Sequence, residues 1–167
     1  MRIIYGLMLG LFFLSIQAQT TNENLNTQLY EMKNSFLNGD YQKVVKYSLP
    51  KVVEMMGGEQ QMIEATQTSM ESMKAQGFVV EDISFSEASP FVTQNGVLQC
   101  SLTQELIMET PEGKIQNKTS IIAVSRDDGE NWNFLDASGM PIDLVKTIFP
   151  DLHPDISIKE SERKNID

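Results

Sequence analysis

Hydrophobic positions along this chain change period once, at about Gly77. Before that point the repeat is helical. Leu25, Leu29, Met32 and Phe36 step by four, three and four residues, which places them on one face of an amphipathic helix. Asn38-Gly39-Asp40 stops that helix, with Gly39 suited to a left-handed residue and Asp40 to capping the next one. Tyr41, Val44, Val45 and Tyr47 predict a short second helix. Pro50 ends it and starts a further turn with Val52, Val53 and Met56 inward, and Gly57-Gly58 breaks the chain again. A long helix is then predicted from Glu59 to Gln76, with Met62, Ile63, Thr66, Met70 and Met73 on one face.

After Gly77 the repeat is that of strands. Phe78 to Phe85 reads as an imperfectly alternating strand, and Phe91-Val92-Thr93 with the Asn95-Gly96 turn leads into the longest one. There Leu98, Cys100, Leu102, Leu106 and Met108 share one parity, and Gln99, Ser101, Thr103 and Glu105 take the other. Gln104 breaks the apolar parity. Pro111-Glu112-Gly113 turns the chain, Lys114 to Ser125 returns antiparallel, and Trp132 to Asp136 follows. Met140 to Phe149 predicts a short closing helix, and the tail from Pro150 carries the only histidine and ends in a charged run expected to fray. Helices followed by a run of antiparallel strands define an α+β fold. One domain over 25–155 is expected, with a loose lead-in at 19–24 and a charged tail at 156–167.

Between the last two strands stands Ser125-Arg126-Asp127-Asp128-Gly129-Glu130-Asn131-Trp132. Asp128-Gly129 is a strong hairpin signal, because primed turns need positive φ and both residues tolerate it. The spacing of Ser125, Asp127, Gly129 and Trp132 matches the Asp-box pattern of sialidases and other β-propellers, where it is a structural hairpin. A single copy, in a chain whose only arginines beyond Arg2 are Arg126 and Arg163, implies turn geometry and no sialidase chemistry.

The N-terminus changes the picture of where the domain resides. Met1-Arg2, an apolar run from Ile3 to Leu14, and Ser15-Ile16-Gln17-Ala18, with a small residue at −1 and a tolerable Ile at −3, have the pattern of a secretory signal peptide over 1–18. Cleavage near Ala18 is expected, giving a periplasmic or secreted protein with no membrane anchor in the mature chain. The apolar run is too short for a membrane span, which needs about 20 residues. The whole chain of 167 residues carries 13 basic and 23 acidic residues, net −10. Such a charge disfavours nucleic acid and anionic lipid as partners. Cys100 is the only cysteine, so no internal disulfide is available, and its strand parity favours a buried, inert thiol over a nucleophile.

Catalytic signals are sparse. His153, between Leu152 and Pro154 in the tail, is poorly placed to be a general base, and alone it cannot build a multi-histidine metal site. Asp127, Asp128, Glu130 and Asp136 could offer oxygens to Ca²⁺, but EF-hand spacing is absent and acidic turns of this kind cap their own backbone. No phosphate loop, zinc spacing or nucleophile elbow is present. No catalytic residue, metal or cofactor is therefore expected.

The element order resembles the nuclear-transport-factor-2-like (cystatin-like) superfamily. Tyr47 to Gly58, Lys74-Ala75-Gln76-Gly77 and Ser125 to Asp136 are similar to segments of uncharacterised exported bacterial proteins. The resemblance implies helices packed into a strongly curved antiparallel sheet, a cone whose open end can hold a ligand. It also implies that a homodimer through the sheet is open to this chain. On that frame Leu29, Met32 and Phe36 of the first helix and Met62, Met70 and Met73 of the long helix should face Leu98, Leu102, Gln104 and Leu106. The methionines can be irregular core filling or a pliable pocket wall. Two functions stay open: a non-catalytic module binding a small apolar ligand or a protein partner, and an acid/base enzyme (isomerase, hydrolase or dehydratase). The enzyme would use Asp82, Glu105 or Asp136 beside a tyrosine in the pocket.

Overall fold

The computed structural model describes residues 21–166. The signal-peptide reading falls on residues outside that range. Residues 21–37 are helical and form α1. The loose lead-in expected as far as Asn24 is thus helical from Thr21 on, and the reason is tertiary. The Asn24 and Gln28 amides donate to the carbonyls of Gly129 and Glu130 at 3.1 and 2.8 Å. Gln28 Oε1 accepts the Trp132 amide at 2.8 Å. Asp40 Oδ1 accepts the Lys43 amide at 3.3 Å and caps α2 (Tyr41–Lys46). Pro50 starts α3 (Pro50–Met55), where its missing N–H would have had no helical partner. α4 spans Glu59–Ala75.

The strands are β1 (Val79–Phe85), β2 (Val92–Gln94), β3 (Val97–Thr110), β4 (Gly113–Ser125) and β5 (Asn133–Asp136). After α5 (Ile142–Ile148) comes β6 (Glu162–Asn165). They make one curved, antiparallel, six-stranded sheet in the order β1-β3-β4-β5. β2 lies on β3 beyond β1, and β6 on β4 beyond β5. A bulge between Val80 and Asp82 shifts the register of β1, the kind of insertion that bends a strand. The outer edge of β5 is closed by the α2–α3 junction, where Phe134 N–H donates to the Tyr47 carbonyl at 2.6 Å.

Two cores sit on opposite faces of this sheet. Under α1, Leu25 and Leu29 pack on Cys100, Leu102, Ile121 and Phe134, with Trp132 at one end. On the other face, Val124, Ile122 and Leu135 are covered by Val145, Phe149 and Leu152. The second core corrects two expectations. The terminal charged run expected to fray does not: Ile156 is buried beside Leu152, and Glu162–Asn165 pair with β4 at Ile115–Lys118. Gln99, assigned by parity to the outward side, is 0 % exposed because the tail covers it. Its Nε2 donates to the Asp151 carbonyl at 2.6 Å, and its Oε1 accepts the His153 amide at 3.0 Å.

A third correction concerns α4. It was expected over the sheet, yet it contains no buried residue and packs on α2 and α3. α1 occupies the place over the strands, and Gly77 (φ +83) turns the chain from α4 directly into β1. No helix among the described residues is long and apolar enough to cross a membrane.

Candidate functional site

Between α1, α2 and the sheet the packing leaves an apolar pocket of about 170 Å³. Met32 and Phe36 come from α1, Ile83 and Phe85 from β1, Gln104 and Leu106 from β3. Val44, Ile121 and Phe134 close it, and Lys33 and Asp136 stand at its margin. The β1–β3 register explains the grouping, since Ile83 pairs with Leu106 and Phe85 with Gln104, so all four share a face.

Of the residues expected to form a pocket, Met32, Phe36, Gln104 and Leu106 are brought together here. Leu29 and Leu102 are fully used in the adjoining core, and Leu98 packs at its edge. Met62 and Met73 are half-buried on α4 and do not line this space. Met70 borders a separate open groove with Tyr41, Phe78 and Val79. Sequence reasoning missed Val44, Ile83, Phe85, Ile121 and Phe134. Ile83 and Phe85 did carry a signal, as two apolar residues on one parity of the first strand.

The polar groups at the pocket differ in how they are held. Lys33 Nζ lies 2.6 Å from Asp82 Oδ1, and this ammonium holds the Asp82 carboxyl below its usual range. Asp136 is exposed, and its Oδ1 accepts the Ser138 amide at 3.0 Å. Glu105 belongs to the opposite face, bonded by Gln116 Nε2 at 2.6 Å and near Lys118 at 3.4 Å. No tyrosine lines the pocket. Gln104 makes no side-chain hydrogen bond among the described residues. Its direct cross-strand neighbour Thr119 has a buried hydroxyl, also without a partner among them. Two unpartnered polar groups therefore stand side by side on the sheet face that forms the pocket.

The remaining candidates are placed as follows. Burial pushes the Cys100 thiol up to about 12, so no thiolate is available near neutral pH. His153 is in the tail on the far face, its Nδ1 accepting the Asp155 amide at 3.1 Å. In the acidic turn Asp128 and Gly129 have φ of +56 and +90. The Asp127 carboxylate accepts from Asn131 N, Asn131 Nδ2 and Ser125 Oγ at 2.9, 2.7 and 2.8 Å. Its oxygens are thereby turned to the loop itself. Ser125 Oγ also accepts the Gly129 amide at 2.9 Å, and Trp132, 2 % exposed, donates from Nε1 to the Gly129 carbonyl at 3.2 Å. This hairpin is a scaffold that anchors α1.

No protein-family model matches the chain, and no curated protein matches it.

Proposed function

We propose that this chain is an exported ligand-binding module of the nuclear-transport-factor-2-like kind, whose helix-covered sheet face receives a small apolar group. The observation that carries the reading is the pocket of about 170 Å³ with the unpartnered Gln104 amide in its wall. A dry apolar cavity of about 150 Å³ is large enough for benzene, so the fitting ligand is a small aromatic ring, a branched aliphatic group or the tip of an acyl chain. One hydrogen-bonding group on that ligand would meet Gln104, which is half-buried in the pocket wall and makes no side-chain hydrogen bond among the described residues. An acid/base enzyme has less to draw on, since Asp136 is exposed at the margin and no tyrosine stands beside it.

Fluorine NMR with a library of trifluoromethyl-bearing fragments tests the pocket. Fragments should bind the wild type and be displaced in Leu106→Trp, which fills the space, while Met70→Glu in the separate groove leaves them bound. Retention of the same fragments by Leu106→Trp would reject the assignment. Export is checked by the mass of the chain recovered outside the cytoplasm: a start at or near Gln19 supports it, and an intact Met1 rejects it.

A further inference from the structure

A second cleft of about 860 Å³, lined mostly by polar and charged residues together with two tyrosines and Trp132, runs along α1 between that helix, α2 and the strand after the acidic hairpin. Its volume is within the range of ligand clefts, ~300–1,000 Å³. Its chemistry is unlike that of the apolar pocket. Asn34 and Ser35 of α1, with Asn38 just past its end, line it together with Asn131 and Asn133. Asn133 Nδ2 is engaged by the Lys46 and Ser48 carbonyls at 3.3 and 3.2 Å, which fixes the side chain and leaves its Oδ1 available. Asn34, Ser35 and Asn38 make no side-chain hydrogen bonds among the described residues.

Two tyrosines complete the cleft. Tyr47 lines it with its ring against Phe134, centroids 6.1 Å apart, and its hydroxyl donates to Glu31 Oε2 at 2.5 Å. Tyr30 stands at the rim and is 65 % exposed. A tyrosine so exposed on a helix contributes little to folding. Charge in the cleft is balanced, with Glu31 and Asp40 against Lys43 and Lys46, although the chain as a whole is at −10.

We propose that this cleft binds a neutral saccharide, a short oligosaccharide chain lying along α1. Vicinal hydroxyls are each donor and acceptor, and carboxamides offer the same pair of functions in one rigid plane. The apolar face of a pyranose ring, in turn, matches an aromatic ring with a polar tip. The balanced charge disfavours both anionic and cationic ligands. A peptide is the weaker fit. The backbone beside the cleft is paired where Phe134 N–H donates to the Tyr47 carbonyl, so a peptide has no strand edge to extend at that point.

The test is saturation-transfer NMR and calorimetry of the mature chain with neutral cello-, malto-, chito- and manno-oligosaccharides. A polyanionic glycan (heparin) and an unstructured neutral peptide run beside them. At least one neutral series should bind at millimolar concentration or tighter. Tyr30→Ala and the pair Asn34→Ala with Asn38→Ala should each weaken it at least about tenfold, the size of ~1.4 kcal/mol, with an unchanged melting temperature. Leu106→Trp, which fills the apolar pocket, should leave saccharide binding intact, so failure of one site is separable from failure of the other. Absence of binding by every neutral series overturns the proposal. So does stronger binding of heparin or the peptide, or wild-type affinity in the Tyr30→Ala and asparagine variants.

Discussion

The two faces of the sheet are packed by different rules. On the face under α5 and the tail, apolar side chains close together and the one buried amide, Gln99, has both of its ends bonded. On the face under α1 and α2 a pocket remains, and the polar pair Gln104 and Thr119 stands without partners among the described residues. The same strand, β3, supplies both amides five positions apart. What differs is the cover. A flexible tail can settle on the strands until carbonyls and amides meet the buried group. The helix over the other face is held near its N-terminal end by the acidic hairpin, and the space that remains lies under its C-terminal half, at Met32 and Phe36. On this contrast side chains beside the pocket should carry less stability than those of the closed face, and the pocket is where the proposed ligand would sit.

The largest expected effects come from the solid parts. Phe149→Ala on the closed face and Trp132→Ala at the hairpin should each cost about 3–5 kcal/mol in urea denaturation. Leu106→Ala beside the pocket should cost about 1–2 kcal/mol, because that side chain is only half-buried and borders space already present. Equal losses at Phe149 and Leu106 would break the contrast between the faces.

Next comes the attachment of α1. A Cβ on Gly129 would lie 2.5 Å from Thr21 Cγ2, and the residue has φ +90. Gly129→Val should destabilise by about 2–3 kcal/mol, combining backbone strain with the clash. Thr21→Gly in the same chain should restore the part due to the clash and none of that due to φ. Full restoration would show that the positive φ carries no cost.

The two amides should then respond with opposite signs. Gln99→Leu strands the Asp151 carbonyl and the His153 amide and should cost about 1–3 kcal/mol, with faster hydrogen exchange at His153. Gln104→Leu removes a group that has no partner to lose, so stability should be unchanged or slightly raised. A large loss in Gln104→Leu would reveal a partner for that amide and would end its proposed role as a ligand contact.

The smallest effect is electrostatic. Hydrogen bonds from Asn131, side chain first and then backbone, with Ser125 adding to them, hold the Asp127 carboxyl below its ordinary 3.8. A depressed carboxylate contributes stability that is fully present above the unfolded value and is lost as pH falls through the folded one. The melting temperature should therefore fall in acid below pH 3.8. Asp127→Asn should flatten that part of the profile, and an identical acid slope in the variant would show that the turn does not depend on the charge.

Much of the fold was legible along the chain because local rules decide it. The change of period near Gly77, the left-handed turns at Asn95-Gly96 and Asp128-Gly129, and the α1 stripe from Leu25 to Phe36 each follow from residues close in sequence. Those features determined a set of helices followed by an antiparallel sheet. Periodicity reports which residues share a face, however, and not what comes to cover it. Gln99 lies on a parity that reads as outward, and only the tail, returning from Asp151 and His153, makes it interior. Met62, Met70 and Met73 share a helix face, yet α1 already occupies the sheet, so that face meets the strands only where Met70 borders a groove at the start of β1. The pocket itself is a remainder between α1, α2 and four strands, and a remainder depends on the distances between elements that no single segment encodes.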